Sequence, residues 1–181
     1  MEALRRLVDM LSGGRRPGPE AASELQQGVR IQLRSAFGDG EEIPSRYTCD
    51  GEDVSPPLWW EGVPEGTISL ALLVDDPGAP LGTWGHWVLF NLPPDVRELP
   101  EGVPREQRLP NGALQGRNDL RRTGYQGPCP PRGSHRYRFR LYALDTQLDL
   151  GPDARHPQLL EAMKGHVLGW GELVGTYRRA R

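Results

Sequence analysis

Glycine and proline cut this chain into short pieces, and that limits its architecture more than any single motif. It has 23 glycines and 18 prolines in 181 residues. Each proline fixes φ and removes a backbone donor. Such punctuation excludes a long-helix bundle and favours short strands joined by many turns. The length suits one domain. No apolar run approaches the roughly 20 residues that span a bilayer. The formal charge of −2, from 22 basic and 24 acidic residues, gives no field that would gather nucleic acid or a membrane surface.

Met1 to Leu11 carries Glu2, Arg5, Arg6 and Asp9 and lacks the apolar stretch of a signal peptide, so a cytoplasmic location is expected. Cys49 and Cys129 are too few for a disulfide scaffold. They are expected as thiols, although each borders a motif described below, which leaves a pairing open.

Leu4, Leu7, Val8 and Leu11 have amphipathic-helix spacing, and residues 13–20 are linker-like. Residues 1–28 therefore form a helical appendage and linker, with the β domain over residues 29–181. From Arg30 to Phe37, Ile31, Leu33 and Phe37 lie on one face of a half-buried strand. Residues 43–58 read as an irregular loop. Ile68 to Asp76 is apolar on both faces, as in a strand covered on both sides, and Trp84 to Leu92 is a second such strand. Residues 93–110 are loop with at most one short strand, and residues 111–133 are a long polar loop of the kind that carries function. In the strand Arg136 to Leu144, Tyr137, Phe139, Leu141 and Ala143 oppose Arg136, Arg138, Arg140 and Tyr142. Pro157 to Val167 predicts a helix striped by Leu159, Leu160, Met163 and Val167, with Gly169 as its stop. Glu172 to Arg178 closes the chain as a strand. The sum is a mainly-β sandwich or barrel with one or two peripheral helices.

Strand side chains alternate between faces. Asp76 shares parity with Leu70, Leu72 and Val74. Trp84 and His86 share parity with Val88 and Phe90, and His135 and Tyr137 with Phe139 and Leu141. Each polar group sits at a strand end and continues an apolar face, which describes a pocket with a dry floor and a polar mouth. Two imidazoles and a phenol supply donors for a small anion, and a histidine near pKa 6.5 can become a cation. Asp76 can orient a histidine and fix its tautomer. Pro77, Pro80, Pro128, Pro130 and Pro131 stiffen the wall. For any one histidine the plainer reading is a satisfied core group; three separate segments with matching placement favour the pocket.

Other chemistries find no template. The chain has no G-x-S-x-G elbow and no P-loop, and Gly169-x-Gly171 lacks the follow-on glycine of a dinucleotide site. Neither cysteine has a C-x-x-C partner, and residues 50–53 do not have calcium-loop spacing. No metal or cofactor is expected.

Several motifs in order resemble the phosphatidylethanolamine-binding protein family, in its bacterial and archaeal Raf-kinase-inhibitor-like branch. They are Ile43-Pro44-Ser45-Arg46-Tyr47-Thr48-Cys49-Asp50-Gly51 with Ser55-Pro56-Pro57-Leu58, then Asp76-Pro77-Gly78-Ala79-Pro80 and Trp84-Gly85-His86-Trp87-Val88. Gly127-Pro128-Cys129-Pro130-Pro131 leading to His135-Arg136-Tyr137 follows, and residues 163–168 and 172–177 complete the match. The resemblance covers about Val29 to Arg178. It implies a Greek-key antiparallel β-sandwich whose anion pocket accepts phosphate-bearing headgroups. Carried over by position, that pocket is Asp76, Trp84, His86, Pro130, His135 and Tyr137. The family motif usually has a second aspartate where this chain has Gly78, so the pocket is less acidic than the pattern.

The expected function is therefore a non-enzymatic binding protein for a small anion, a phosphorylated small molecule or a lipid headgroup. The alternative implied by the resemblance is an interaction module that inhibits a kinase or protease. A hydrolase using His86 or His135 as acid–base ranks last, because no nucleophile accompanies them. A homodimer is left open.

Overall fold

The computed structural model describes residues 24–180. The amphipathic pattern of residues 4–11 lies outside them. Nine strands are present among the described residues: β1 (Val29–Arg30), β2 (Gln32–Ser35), β3 (Leu58–Glu61), β4 (Ser69–Asp76), β5 (Trp84–Leu92), β6 (Glu98–Leu99), β7 (Leu114–Gln115), β8 (His135–Leu144) and β9 (Val167–Tyr177). They form a six-stranded sheet in the order β1-β9-β8-β4-β5-β7 and a three-stranded sheet in the order β2-β3-β6. One α-helix, α1 (His156–Met163), is present among the described residues, besides a single 3-10 turn at Ser45–Tyr47. The mainly-β, two-sheet architecture agrees with the sequence reading. No described helix is long and apolar enough to cross a membrane.

Each face of the large sheet buries its own apolar layer. Leu72, Val74, Trp87, Leu89, Phe139 and Leu141 face the small sheet and meet Leu33, Leu58, Trp60 and Leu99 there. Ala71, Leu73, Val88, Phe90 and Tyr142 face the other way, toward Leu159, Leu160 and Met163 of α1. Removing such a Leu, Val or Phe side chain from water contributes about 1.5–3 kcal/mol. That is why the β4 sequence Ser-Leu-Ala-Leu-Leu-Val is apolar at every parity after its first residue: both of its faces are covered. Leu25 is also buried in the second layer, so packing against the body begins before residue 29.

The single strand expected from Arg30 to Phe37 is two strands. Ile31 is the switch: β1 runs parallel to β9 in the large sheet, and β2 pairs antiparallel with β3 in the small one. The buried set Ile31, Leu33 and Phe37 is as expected. At the end of the stretch expected to be loop, residues 43–58, a strand begins instead: Leu58 and Trp60 are buried while Trp59 and Glu61 are exposed, and these four residues form β3.

The helix stops earlier than its periodicity suggests. It begins in a turn where the Gln158 side chain accepts the Arg155 N–H at 3.0 Å, with Pro157 in its first turn, where no intrahelical donor is needed. It ends at Met163 because Gly165 adopts φ +79°, the left-handed conformation that closes helices. Val167 then opens β9, so Val167 and Gly169 are strand residues rather than the end of the helical stripe and its stop.

The face of β8 carrying Arg138, Arg140 and Tyr142 is covered by the second layer rather than left to solvent, and Arg140 and Tyr142 are fully buried. Asp75 explains how a guanidinium tolerates this. Its Oδ2 accepts from Arg140 Nη2 at 2.6 Å, His156 Nε2 at 2.8 Å and Arg138 Nη2 at 3.0 Å, while Oδ1 accepts from Arg138 Nε at 2.8 Å. Burial alone would raise the Asp75 carboxyl, but His156, Arg140 and Arg138 overcome it and hold the group well below the usual carboxylate range.

Candidate functional site

At one end of the large sheet, on the face toward the small sheet, lies a cavity of about 300 Å³. All six residues singled out from the sequence line it: Asp76, Trp84, His86, Pro130, His135 and Tyr137. The elements that deliver them are the end of β4, the start of β5, the start of β8 and the loop before β8. Asp76 is opposite Trp84 in the β4–β5 register. His135 and Tyr137 share a face because they are two apart on β8.

His86 arrives by a different route from the one alternation suggests. Strict parity would send it with Val88 and Phe90 into the layer beneath α1. The register shifts between Val74↔Trp87 and Asp75↔Gly85, so β5 uses an extra residue there. This β-bulge puts His86 and Trp87 on the same face, a known way of re-aiming a side chain beside a site. The His86 ring consequently meets Tyr137 edge to face, with centroids 5.2 Å apart and planes at 84°. Gly85 stays on the opposite face, near His156.

Second partners hold the imidazoles. His86 Nδ1 lies 2.8 Å from the Gln126 carbonyl oxygen. A carbonyl only accepts, so Nδ1 carries the proton and Nε2 is the nitrogen available to a ligand. Gln126 N–H returns a bond of 2.9 Å to the His86 carbonyl, and the Gln126 side chain accepts from Trp84 Nε1 at 3.1 Å. Burial lowers the His86 pKa, against the opposing pull of the Gln126 carbonyl and the Asp76 charge. At neutral pH His86 is therefore an uncharged ring offering a lone pair, not the donor expected from the sequence. His135 Nδ1 donates to Asp76 Oδ2 at 2.6 Å, which fixes that ring's orientation and leaves its Nε2 available. Burial, then the charge of Asp76, pushes the Tyr137 hydroxyl far above its ordinary range, so it remains a protonated donor.

Gly78 takes part through its backbone, its N–H donating to Asp76 Oδ1 at 2.8 Å. A Cβ there would meet Asp76 Oδ1 at 3.5 Å, an ordinary contact. The missing second carboxylate is thus a matter of sequence rather than of space.

Cys49 and Cys129 are joined as a disulfide, not thiols as expected from their number. Their loops meet for reasons independent of the sulfurs. Cys49 N–H donates to the Pro128 carbonyl at 3.1 Å, and Gly127 lies so close to Tyr47, Thr48 and Asp53 that no side chain would fit there. Cys129 also lines the cavity, so the wall of the site is covalently tied to the Tyr47–Asp50 segment. Gln126 is the site residue that sequence reasoning missed. It sits in a loop with no periodic pattern, and only its adjacency to Gly127-Pro128-Cys129 pointed to that loop.

A sequence model described as phosphatidylethanolamine-binding protein matches residues 34–178. A UPF0098 protein of Methanothermobacter thermautotrophicus is 62% identical over 144 residues, covering 80% of this chain and 95% of that protein. A crystal structure of a phosphatidylethanolamine-binding protein homolog from Chlamydia trachomatis superposes with a TM-score of 0.77 at 42% identity, covering 84% of this chain and 100% of the other. Escherichia coli YbcL, described as a member of the mammalian PEBP family, gives a TM-score of 0.78 at 33% identity, again covering 84% of this chain and all of the other.

Proposed function

The chain belongs to the phosphatidylethanolamine-binding protein family, and from that premise we propose that it is a non-enzymatic binding protein. Its ligand is a small phosphate-type anion, free or as the headgroup of a larger molecule, seated among Asp76, Trp84, His86, Pro130, His135 and Tyr137. The observation that carries this reading is the convergence of two oriented imidazoles and a protonated phenol in one cavity. The cavity lining includes no serine or threonine, its one sulfur is tied in a disulfide, and the Tyr137 hydroxyl holds its proton too firmly to act as a nucleophile at neutral pH. This favours holding a ligand over attacking it.

The tautomers refine the ligand. Tyr137 donates, whereas neutral His86 and Asp76 accept, so an oxyanion that still carries one proton satisfies more of the site than a fully ionised one. Titration calorimetry with inorganic phosphate and phosphoethanolamine tests this. Binding is expected to weaken at least about tenfold in His86→Ala, His135→Ala and Tyr137→Phe, the scale of a hydrogen bond to a charged group. For phosphoethanolamine it should also weaken as pH rises through about 6, where a phosphomonoester loses its last proton. Affinity indifferent to all three substitutions would remove the pocket from consideration.

A further inference from the structure

Across the Pro130–Pro131 wall lies a second concavity of about 330 Å³ that shares both prolines with the first and is otherwise lined chiefly by Arg132, Arg178 and Arg179. Its position follows from the sheet. Arg132 lies just before β8 and Arg178 just after β9, and the pocket residue His135 is the register partner of Tyr177. The arginines therefore flank the strand ends that build the anion pocket. Arg179 is engaged, its Nη2 lying 2.9 Å from Asp50 Oδ1. Arg132 and Arg178 are exposed and have no ion-pair partner among the described residues. Three guanidinium groups against one carboxylate leave the cleft strongly positive, on a chain whose formal net charge is −2.

We propose that this cleft is a second anion subsite, and that the ligand carries two phosphate-type groups, one in the histidine pocket and one across the proline wall on Arg132 and Arg178. The proposal rests on the pocket reading above. A guanidinium presents a planar fork of donors that matches phosphate oxygens, and scattered surface arginines would neither share a concavity nor adjoin a site for the same chemistry. Each subsite alone would hold one phosphate-type group. Joining the two groups in one molecule makes the second contact intramolecular, which raises affinity by about 10²- to 10⁴-fold when the linker fits the span.

The test is calorimetry with inorganic phosphate, pyrophosphate, tripolyphosphate and butane-1,4-diyl bisphosphate, a ladder of spacings, on the intact chain and on the Arg132→Ala/Arg178→Ala double variant. Both positions are exposed, so folding is not at stake. At least one two-phosphate probe should bind about 100-fold tighter than phosphate. The double variant should lose that advantage and keep its affinity for phosphate itself. Phosphate binding with no advantage for any longer probe overturns the cleft and leaves the pocket standing, as does an advantage that survives the substitutions. Absence of all binding overturns both. Vesicles containing phosphatidic acid form a further arm: capture that depends on the two arginines, without any bisphosphate advantage, would assign them to a lipid surface and overturn the two-headed ligand.

Discussion

Asp75 and Asp76 are consecutive residues of one strand, and they lead opposite lives. Asp76 points to a cavity and shares its charge with one imidazole at 2.6 Å. Asp75 points through the sheet into a dry layer and is fully enclosed by Arg138, Arg140 and His156. Both are carboxylates beside histidines. One is placed where a ligand can reach it and the other where nothing can, so proximity to a histidine does not by itself mark a site. What separates them is strand alternation together with what covers each face: prolines and loops leave one side hollow, and α1 fills the other.

The largest effect that would break this contrast is on stability. Asp75→Asn leaves Arg140 buried without a full counter-charge and is expected to cost roughly 3–5 kcal/mol, read by urea denaturation, with phosphate affinity unchanged in whatever fraction folds. The paired replacement Asp75→Leu/Arg140→Met should recover most of that loss, since a well-packed apolar pair is often neutral or better. If the single substitution cost under about 1 kcal/mol, the charge cluster would not be holding the layer together.

The pocket side answers to different chemistry. Opening the disulfide with Cys49→Ser/Cys129→Ser should cost about 2–4 kcal/mol, because the bridge spans a sequence separation of 80 residues. Unlike the Asp75 change, it should also weaken phosphate binding, since Cys129 is part of the wall. Unaltered binding would show that the wall stands without its tie.

Acid titration sharpens the comparison further. The folded-state pKa of His86 is depressed by burial, so its contribution is present above the unfolded value of about 6.5 and is lost as pH falls below it. Asp75 is likewise depressed, and its contribution is lost only as pH falls below about 3.9. Denaturation midpoints followed from pH 8 to pH 3 should decline in two stages, and His86→Phe should abolish the first alone. The smallest effect expected is that of Gly78→Asp, which the backbone accommodates. A second carboxylate at the mouth should weaken phosphate by about 1 kcal/mol or less, in a manner that added salt relieves.

The central strands were legible because their apolar runs are long and bounded by turns, and the pocket residues were legible because three such runs end in polar groups. Trp84 shared the parity of His86 and Pro130 stood among the prolines of the wall; the resemblance then joined both to the binding set. What stayed hidden depended on partners distant in sequence. Arg140 reads as a surface residue until Asp75 and α1 are placed over it. β3 is four residues in a proline-rich stretch, too short to show a period. The bulge that turns His86 is a property of the β4–β5 register, and a single strand's sequence does not contain it. Two cysteines 80 residues apart carry no pairing information until their loops are seen to dock.

The parallel pairing of β1 with β9 has a consequence for how the molecule is made. The first strand of the large sheet lies beside the last, Val29 against Gly169 and Arg30 against Trp170. A chain that leaves the ribosome from its N-terminus holds β1 without a partner until β9 has emerged. The start of β9 also carries the Trp170 carbonyl that accepts from Ile31 N–H at 2.8 Å, the contact at which the chain crosses between sheets. Closure of that edge is therefore a late event in a fold rich in long-range contacts, and a truncation within β9 would leave β1 and the Ile31 crossover without their partners.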